Sequence, residues 1–282
     1  MPELPEVETI KRGLAKYLRG HKVLKVEVRF RKRFEGEEKR LIGGKVLEIK
    51  RFGKILSLDF DNGYSCLIHI KLTGQLIYRG PNLKDGSYLS KKIIGGLEGK
   101  HTHVIFHFDR GAKLYFNDVR KFGWIKIVKK DELSEISFLK NLGPEPFKDL
   151  TFDLFKHILS KSSRQIKIIL MDQTKIAGIG NIYANDALWL ARINPKNPAS
   201  QLTSEHAKEL YDSILKVLGD GIKYGGASEL SYVTAEGNEG SYQDHTLAYG
   251  REGELCTRCQ KTKFVKSFLG GRGTYACPYC QK

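Results

Sequence analysis

The 282-residue chain has no apolar run close to the roughly 20 residues that cross a bilayer, and its first residues, MPELPEVETIKRG, lack the apolar stretch of a secretory signal. A soluble, cytoplasmic protein with no membrane partner is expected. Acid is scarce relative to base: 32 Asp and Glu stand against 48 Lys and Arg, a formal charge of +16. That excess points to a polyanionic partner, of which nucleic acid is the commonest, with a generally solubilising charge as the alternative. There is no repeat and no low-complexity tract. An apolar fraction of 40% over this length excludes a disordered chain and a small stapled peptide, and gives room for about two domains.

Cysteine is nearly missing from the first 255 residues, where Cys66 sits alone in an apolar strand pattern and is expected to be core. The other four fall in the last 27 residues as Cys256-Thr-Arg-Cys259 and Cys277-Pro-Tyr-Cys280, two C-x2-C pairs separated by 17 residues. Two thiolates three residues apart can grip one cation from a tight turn, and two such turns joined by a hairpin complete a closed tetrahedral shell. One structural zinc ion is expected on these four residues. Two disulfides are the alternative, and they would need an oxidising compartment.

Along the chain, Val7, Ile10, Leu14, Tyr17 and Leu18 recur at helical spacing, with Pro5 suited to a first turn and Glu6 and Glu8 suited to the positive end of the dipole. From about residue 22 to 128 the period becomes two, with Leu24, Val26, Val28 and Phe30 alternating with Lys25, Glu27 and Arg29. Asp61-Asn62-Gly63 and Asp109-Arg110-Gly111 read as hairpin turns. The expected class is α+β. Residues 1–130 form a β-sandwich with a leading helix, 131–150 a linker around Gly143-Pro144-Glu145-Pro146, 151–255 a helical domain and 256–282 a zinc hairpin. Thr151 and Thr203 are expected to cap helices, and a helix follows the turn-rich GIGN. Residues 225–253, the 225–245 stretch among them, hold six glycines among polar residues, and a loop of that length inside a compact domain is usually functional or disordered.

The motifs MPELPEVET, RFGKILSL, NDVRKFGW, LGPEP, GIGNIYA, YGREGELC and GRGTYACPYCQK, in this order, resemble those of the formamidopyrimidine-DNA glycosylases over essentially the whole chain. The resemblance implies excision of oxidised purines such as 8-oxoguanine from damaged double-stranded DNA, and cleavage of the abasic site, by a monomer of the bacterial cytoplasm and nucleoid. Endonuclease VIII relatives, which act on oxidised pyrimidines, share the architecture, but their start typically reads PEGPE where this chain has Pro2-Glu3-Leu4-Pro5-Glu6. A DNA-binding zinc protein without catalysis is a third reading, opposed by the intact Pro2, Glu3 and Lys54.

Physical chemistry supports the terminus independently. Once Met1 is removed, Pro2 presents a secondary α-amine able to attack C1′ of the damaged nucleoside and form an iminium. Its reference pKa of about 7.7–8.0, against about 10.4 for Lys, makes the free base accessible. The helix dipole should lower that value further and the carboxylates of Glu3 and Glu6 should oppose it. Glu3 beside it is the natural general acid and base. Lys54, interrupting a strand pattern after Gly53, contacts lesion and phosphate by resemblance only. Leu72, Arg120 and Phe122 match the family residues that fill the gap left by the extruded base, with Leu72 standing where methionine is usual. Asn181, opening the helix after GIGN, and Arg272, in an exposed turn of the zinc hairpin, are expected on phosphates. The resemblance further implies DNA contacts at His69 and His101, and lesion recognition at Glu6, Ser228 and Tyr249.

Overall fold

Helix α1 (Leu4–Leu18) begins where the sequence places it: Pro5 occupies its first turn, and the Glu6 carboxylate accepts the Glu3 backbone N–H at 2.7 Å. Its apolar stripe, Val7, Ile10, Leu14, Tyr17 and Leu18, is buried in the main core. In this computed structural model residues 1–81, 83 and 88–282 are described. Contacts divide the chain into one unit of residues 1–140 and 222–243 and a second of residues 141–221 and 244–282.

The first unit is a sandwich of two sheets. Strands β1 (Val23–Val28), β7 (Thr102–Phe108), β8 (Lys113–Asp118) and β6 (Gly74–Arg79) form one sheet in that order. The other runs β2 (Phe34–Glu35), β9 (Trp124–Lys129), β5 (Tyr64–His69), β4 (Ile55–Phe60) and β3 (Val46–Phe52). Both expected hairpins are present, β4 with β5 across Asp61-Asn62-Gly63 and β7 with β8 across Asp109-Arg110-Gly111. Alternation sorts the side chains: Leu56, Leu58, Cys66, Ile68, Val104 and Phe106 enter the main core, while Ile55, Leu67 and Ile105 face smaller clusters on the outer faces. Those outer clusters are covered by Leu133, Ile136, Phe138 and Leu139 on one sheet and by Leu89, Ile93 and Leu97 on the other. Strands buried on both faces result.

One expected alternation is corrected. Leu24 is exposed and its neighbour Val23 is buried, because a bulge between Val23 and Lys25 shifts the pairing with β7 and reverses the parity at the strand start. Val26 remains inward as expected.

The second unit holds α3 (Phe152–Ser160), α4 (Ile166–Met171), α5 (Asn181–Leu190), α6 (Ser204–Lys223, whose last two residues count with the first unit) and a hairpin of β10 (Val265–Leu269) and β11 (Arg272–Ala276). A four-residue α2 (Ser137–Lys140) precedes it in the first unit. Thr151 and Thr203 cap α3 and α6 as expected, each hydroxyl accepting a backbone N–H at 3.2 Å, from Leu154 and His206. Helix α4 was not legible: IKIILM is short, rich in β-branched residues and buried on most sides, so no helical stripe marks it. Residues 222–243 also depart from expectation. The sequence placed the glycine-rich 225–245 stretch with the helical domain, but 222–243 pack within the first unit, where Tyr232 and Ala235 join the core containing α1. Among the described residues no helix is long and apolar enough to cross a membrane.

Candidate functional sites

In the first unit, Pro2 and Glu3 lie buried at the N-terminal end of α1. Glu6 ties this corner to the 222–243 segment: one carboxylate oxygen accepts the Glu3 N–H and the other accepts the Ala227 N–H at 2.8 Å. The Tyr232 hydroxyl adds contacts of 2.9 Å to the Gly225 carbonyl and 3.3 Å to that of Glu6. Gly226, at φ +85°, is needed here, since a Cβ would stand 2.8 Å from Cγ of Glu6. Ser228 is buried; its hydroxyl donates to the Tyr232 carbonyl and accepts the Gly240 N–H, both at 2.9 Å, folding the segment on itself.

Lys54 ends the two-residue turn that joins β3 to β4, beside Gly53 at φ 55°, and is only 6% exposed. His69, at the end of β5, is also buried, its ring edge-on to Trp124. Burial first, then the charges of Lys71 and Lys54, push the His69 pKa down to about 3. Its Nδ1 accepts the Lys71 N–H at 3.0 Å, so the neutral ring carries its proton on Nε2 and is a donor there.

The three residues expected to fill an emptied stack occupy two neighbouring turns. Leu72 lies just before β6, and Arg120 and Phe122 lie in the turn between β8 and β9, with the Arg120 guanidinium 4.8 Å from the centre of the Phe122 ring. Phe122 is 43% exposed, so it is not a packed strand aromatic. Buried Asp118 joins the turns: its carboxylate accepts the Thr73 hydroxyl, the Arg120 N–H at 3.2 Å and the Gly123 N–H at 2.7 Å. His101 enters the same corner through its carbonyl, which accepts the Asp118 N–H at 2.9 Å. Lys71 (φ 50°) and Lys121 (φ 57°), immediately before Leu72 and Phe122, both hold left-handed backbone unusual for a side-chain-bearing residue. Neither Asp118 nor Thr73 carried a signal in the sequence, because β6 to β8 pairing alone brings them together.

In the second unit, Gly180 precedes Asn181, the first residue of the ten-residue helix α5, and places the positive end of that helix dipole there. Gln173 fixes the GIG turn, its amide oxygen accepting the Gly178 N–H at 2.9 Å and its Nε2 donating to the Ile179 carbonyl at 2.8 Å. Gly270 and Gly271, both at positive φ, form the two-residue turn that presents exposed Arg272. Lys167 and Asn185, unnoticed in the sequence, hold this hairpin: Lys167 Nζ donates to the Gly273 carbonyl at 2.7 Å, and Asn185 Oδ1 accepts the Tyr275 N–H at 2.8 Å. Tyr249 packs edge-on against Tyr275, with its N–H on buried Asp186. It therefore lies with the hairpin in the second unit, whereas Glu6 and Ser228 lie in the first.

The four C-terminal cysteines converge, their sulfurs all within 4.8 Å of one another. Cys256 and Cys280 sulfurs are 3.9 Å apart and those of Cys259 and Cys277 3.7 Å, too far for disulfides. They suit the edges of a tetrahedron, about 3.8 Å for metal–sulfur bonds of about 2.3 Å. The Lys261 N–H helps bring the Cys259 thiol down to about 6, whereas burial and the neighbouring sulfurs push Cys280 up to about 12. Sulfurs this close cannot all ionise without a cation between them, which is the demand a divalent metal meets.

Residues 1–125 match the family model of the formamidopyrimidine-DNA glycosylase N-terminal domain, and residues 142–232 match that of the formamidopyrimidine-DNA glycosylase H2TH domain. Formamidopyrimidine-DNA glycosylases of Carboxydothermus hydrogenoformans and Pelotomaculum thermopropionicum are 40% and 39% identical, covering 100% of this chain and 100% and 99% of theirs. Among solved structures, Lactococcus lactis Fpg in complex with N7-benzyl-Fapy-dG containing DNA superposes with a TM-score of 0.87 at 34% identity over 100% of both chains. The same enzyme with abasic site containing DNA gives 0.86 at 34% identity, over 99% of each chain. Matched in fold and in sequence over its whole length, the chain belongs to the formamidopyrimidine-DNA glycosylase family.

Proposed function

We propose that the protein excises oxidised purines, 8-oxoguanine and formamidopyrimidines, from double-stranded DNA and then cleaves the abasic strand. The observation that carries this reading is the placement of Pro2 and Glu3 at a buried helix end in the same unit as the Leu72, Arg120 and Phe122 turns, in a chain that matches the family throughout. With Met1 removed, the free-base Pro2 nitrogen attacks C1′, the glycosidic bond breaks, and the base departs as an anion that takes a proton from water. Glu3 takes the amine proton and returns it to the sugar ring oxygen as the ring opens, leaving an iminium between Pro2 and C1′. Loss of a C2′ proton then expels the 3′ phosphate, and a second elimination expels the 5′ phosphate. Hydrolysis of the imine frees Pro2.

Around that centre, Lys54 and the Nε2 donor of His69 serve lesion and phosphate, Leu72 and Phe122 fill the stack, and Arg120 hydrogen-bonds the orphaned base. His101, Asn181 and Arg272 contact DNA, and Glu6, Ser228 and Tyr249 are assigned to the lesion. Cys256, Cys259, Cys277 and Cys280 would hold one zinc ion, which supplies folding energy to the hairpin and no catalytic step. The protein acts as a monomer on the nucleoid of the bacterial cytoplasm.

Borohydride trapping on an 8-oxoguanine duplex tests the reading. Wild type should be trapped, and Pro2→Gly should keep DNA binding and lose most trapping. Full trapping by protein retaining Met1 would refute the role of Pro2. Preferential trapping on an oxidised-pyrimidine duplex would move the substrate to the other branch.

A further inference from the structure

We propose that Gln75 is a positioning residue that couples the wedge turn to the 228–240 segment, whose Ser228 is assigned to the lesion, an inference that rests on the functional reading above and deepens it. Gln75 lies in β6 three residues after Leu72 and is 4% exposed. Its Nε2 donates to the Ser231 carbonyl at 2.6 Å and to the Lys92 carbonyl at 3.0 Å, so both amide hydrogens are spent on two separate segments. The Ser231 hydroxyl closes the ring by donating to the Leu72 carbonyl at 3.1 Å. The main chain from Leu72 to Gln75 and the backbone at Ser231 are thus bonded twice.

Any movement of the Leu72 main chain toward a base stack must move Ser231 or break one of these bonds. Lys92 grips the same segment at two further points, through the Ser228 carbonyl and, at 2.7 Å, the Glu239 carboxylate. Leu230, between the buried Ser228 and Ser231, is 68% exposed, so the tip projects while both flanks are clamped. Ordering a free loop over a base costs conformational entropy, and the clamp removes part of that cost and links it to insertion of the wedge. Thr73 and Asp118 bind the wedge turns through separate hydrogen bonds, to each other and to Arg120 and Gly123.

Gln75→Met keeps length and loses both donors; Gln75→Glu sets a carboxylate against two carbonyl oxygens. In single-turnover kinetics, 8-oxoguanine excision should fall about tenfold for Gln75→Met and further for Gln75→Glu. Cleavage of an abasic duplex, which needs no extrusion and also reports correct folding, should stay within about twofold. Hydrogen exchange on DNA-free protein should rise together at residues 70–74 and 229–240. Unchanged excision, equal losses on both duplexes, or faster exchange confined to one segment would overturn the coupling. Wild type inactive on every lesion duplex would overturn the functional reading instead, and the exchange measurement, needing no substrate, would still decide the coupling.

Discussion

His69 shows how one side chain carries a pH dependence that its sequence neighbourhood does not announce. Unfolded, an imidazole titrates near 6.5; here it titrates near 3, because it is buried beside the charges of Lys71 and Lys54. Between those values the native state binds fewer protons than the unfolded chain, so stability that is complete above about pH 6.5 is lost as pH falls toward 3. His69→Gln, which can still accept from Lys71 and donate from its amide, removes this term. Thermal melts at pH 7 and pH 5 should show a smaller acid loss in the variant, by roughly 2 kcal/mol. Equal losses in both proteins would mean that His69 titrates normally. Pro2 and Glu3 stand out as candidates in the sequence because their chemistry is adjacent, and the structure buries both at the start of α1. Lys54 is a candidate by resemblance only, since a lone lysine after a glycine is ordinarily solvated, and its burial in the two-residue turn between β3 and β4 is not announced by composition.

Elements explain which parts of the candidate site the sequence could foresee. Caps at Thr151 and Thr203 and both Asn- or Arg-Gly hairpins are local grammar and came out where expected. The wedge turns are different. Asp118 holds them: Arg120 and Gly123 are its local partners, but Thr73, beside Leu72, meets it only once β6 pairs with β8. The bulge that turns Leu24 outward is equally a matter of pairing and not of pattern. Because an abasic strand has no base to extrude, Arg120→Ala and Phe122→Ala should reduce 8-oxoguanine excision at least about tenfold more than abasic cleavage, whereas a Pro2 substitution should reduce both. Matched kinetics on the two duplexes check this, and equal losses for Phe122→Ala would remove it from the extrusion step. Asp118→Asn keeps the shape but loses the charge on the Arg120 and Gly123 N–H bonds, and should imitate the Arg120 variant with the Arg120 side chain intact.

At the scale of the whole molecule, sheets and helices were legible in bulk, but not the return of residues 222–243 to the first unit. That return depends on Glu6 meeting Ala227 across more than 200 residues, a contact no local pattern encodes. The same division makes a metal prediction measurable, because the chain's two tryptophans fall one in each unit. Trp124 packs with His69 and Phe138 in the sandwich. Trp189 packs in the cluster of Cys256, Cys277 and Phe264, with the Arg258 guanidinium 4.2 Å from its ring centre. A four-cysteine zinc site supplies roughly 10–16 kcal/mol of apparent free energy in small fingers, and the few apolar residues of this hairpin cannot replace it. Chelation should therefore red-shift and weaken the emission of Trp189, read in Trp124→Phe protein, and leave that of Trp124, read in Trp189→Phe protein, unchanged. Cys277→Ala should do the same without a chelator, and affinity for duplex DNA should fall in step with the Trp189 signal, because Arg272 rides on the same hairpin. A Trp189 signal indifferent to chelation would mean that sulfur packing alone holds the hairpin. A simultaneous change at Trp124 would mean that the two units unfold as one.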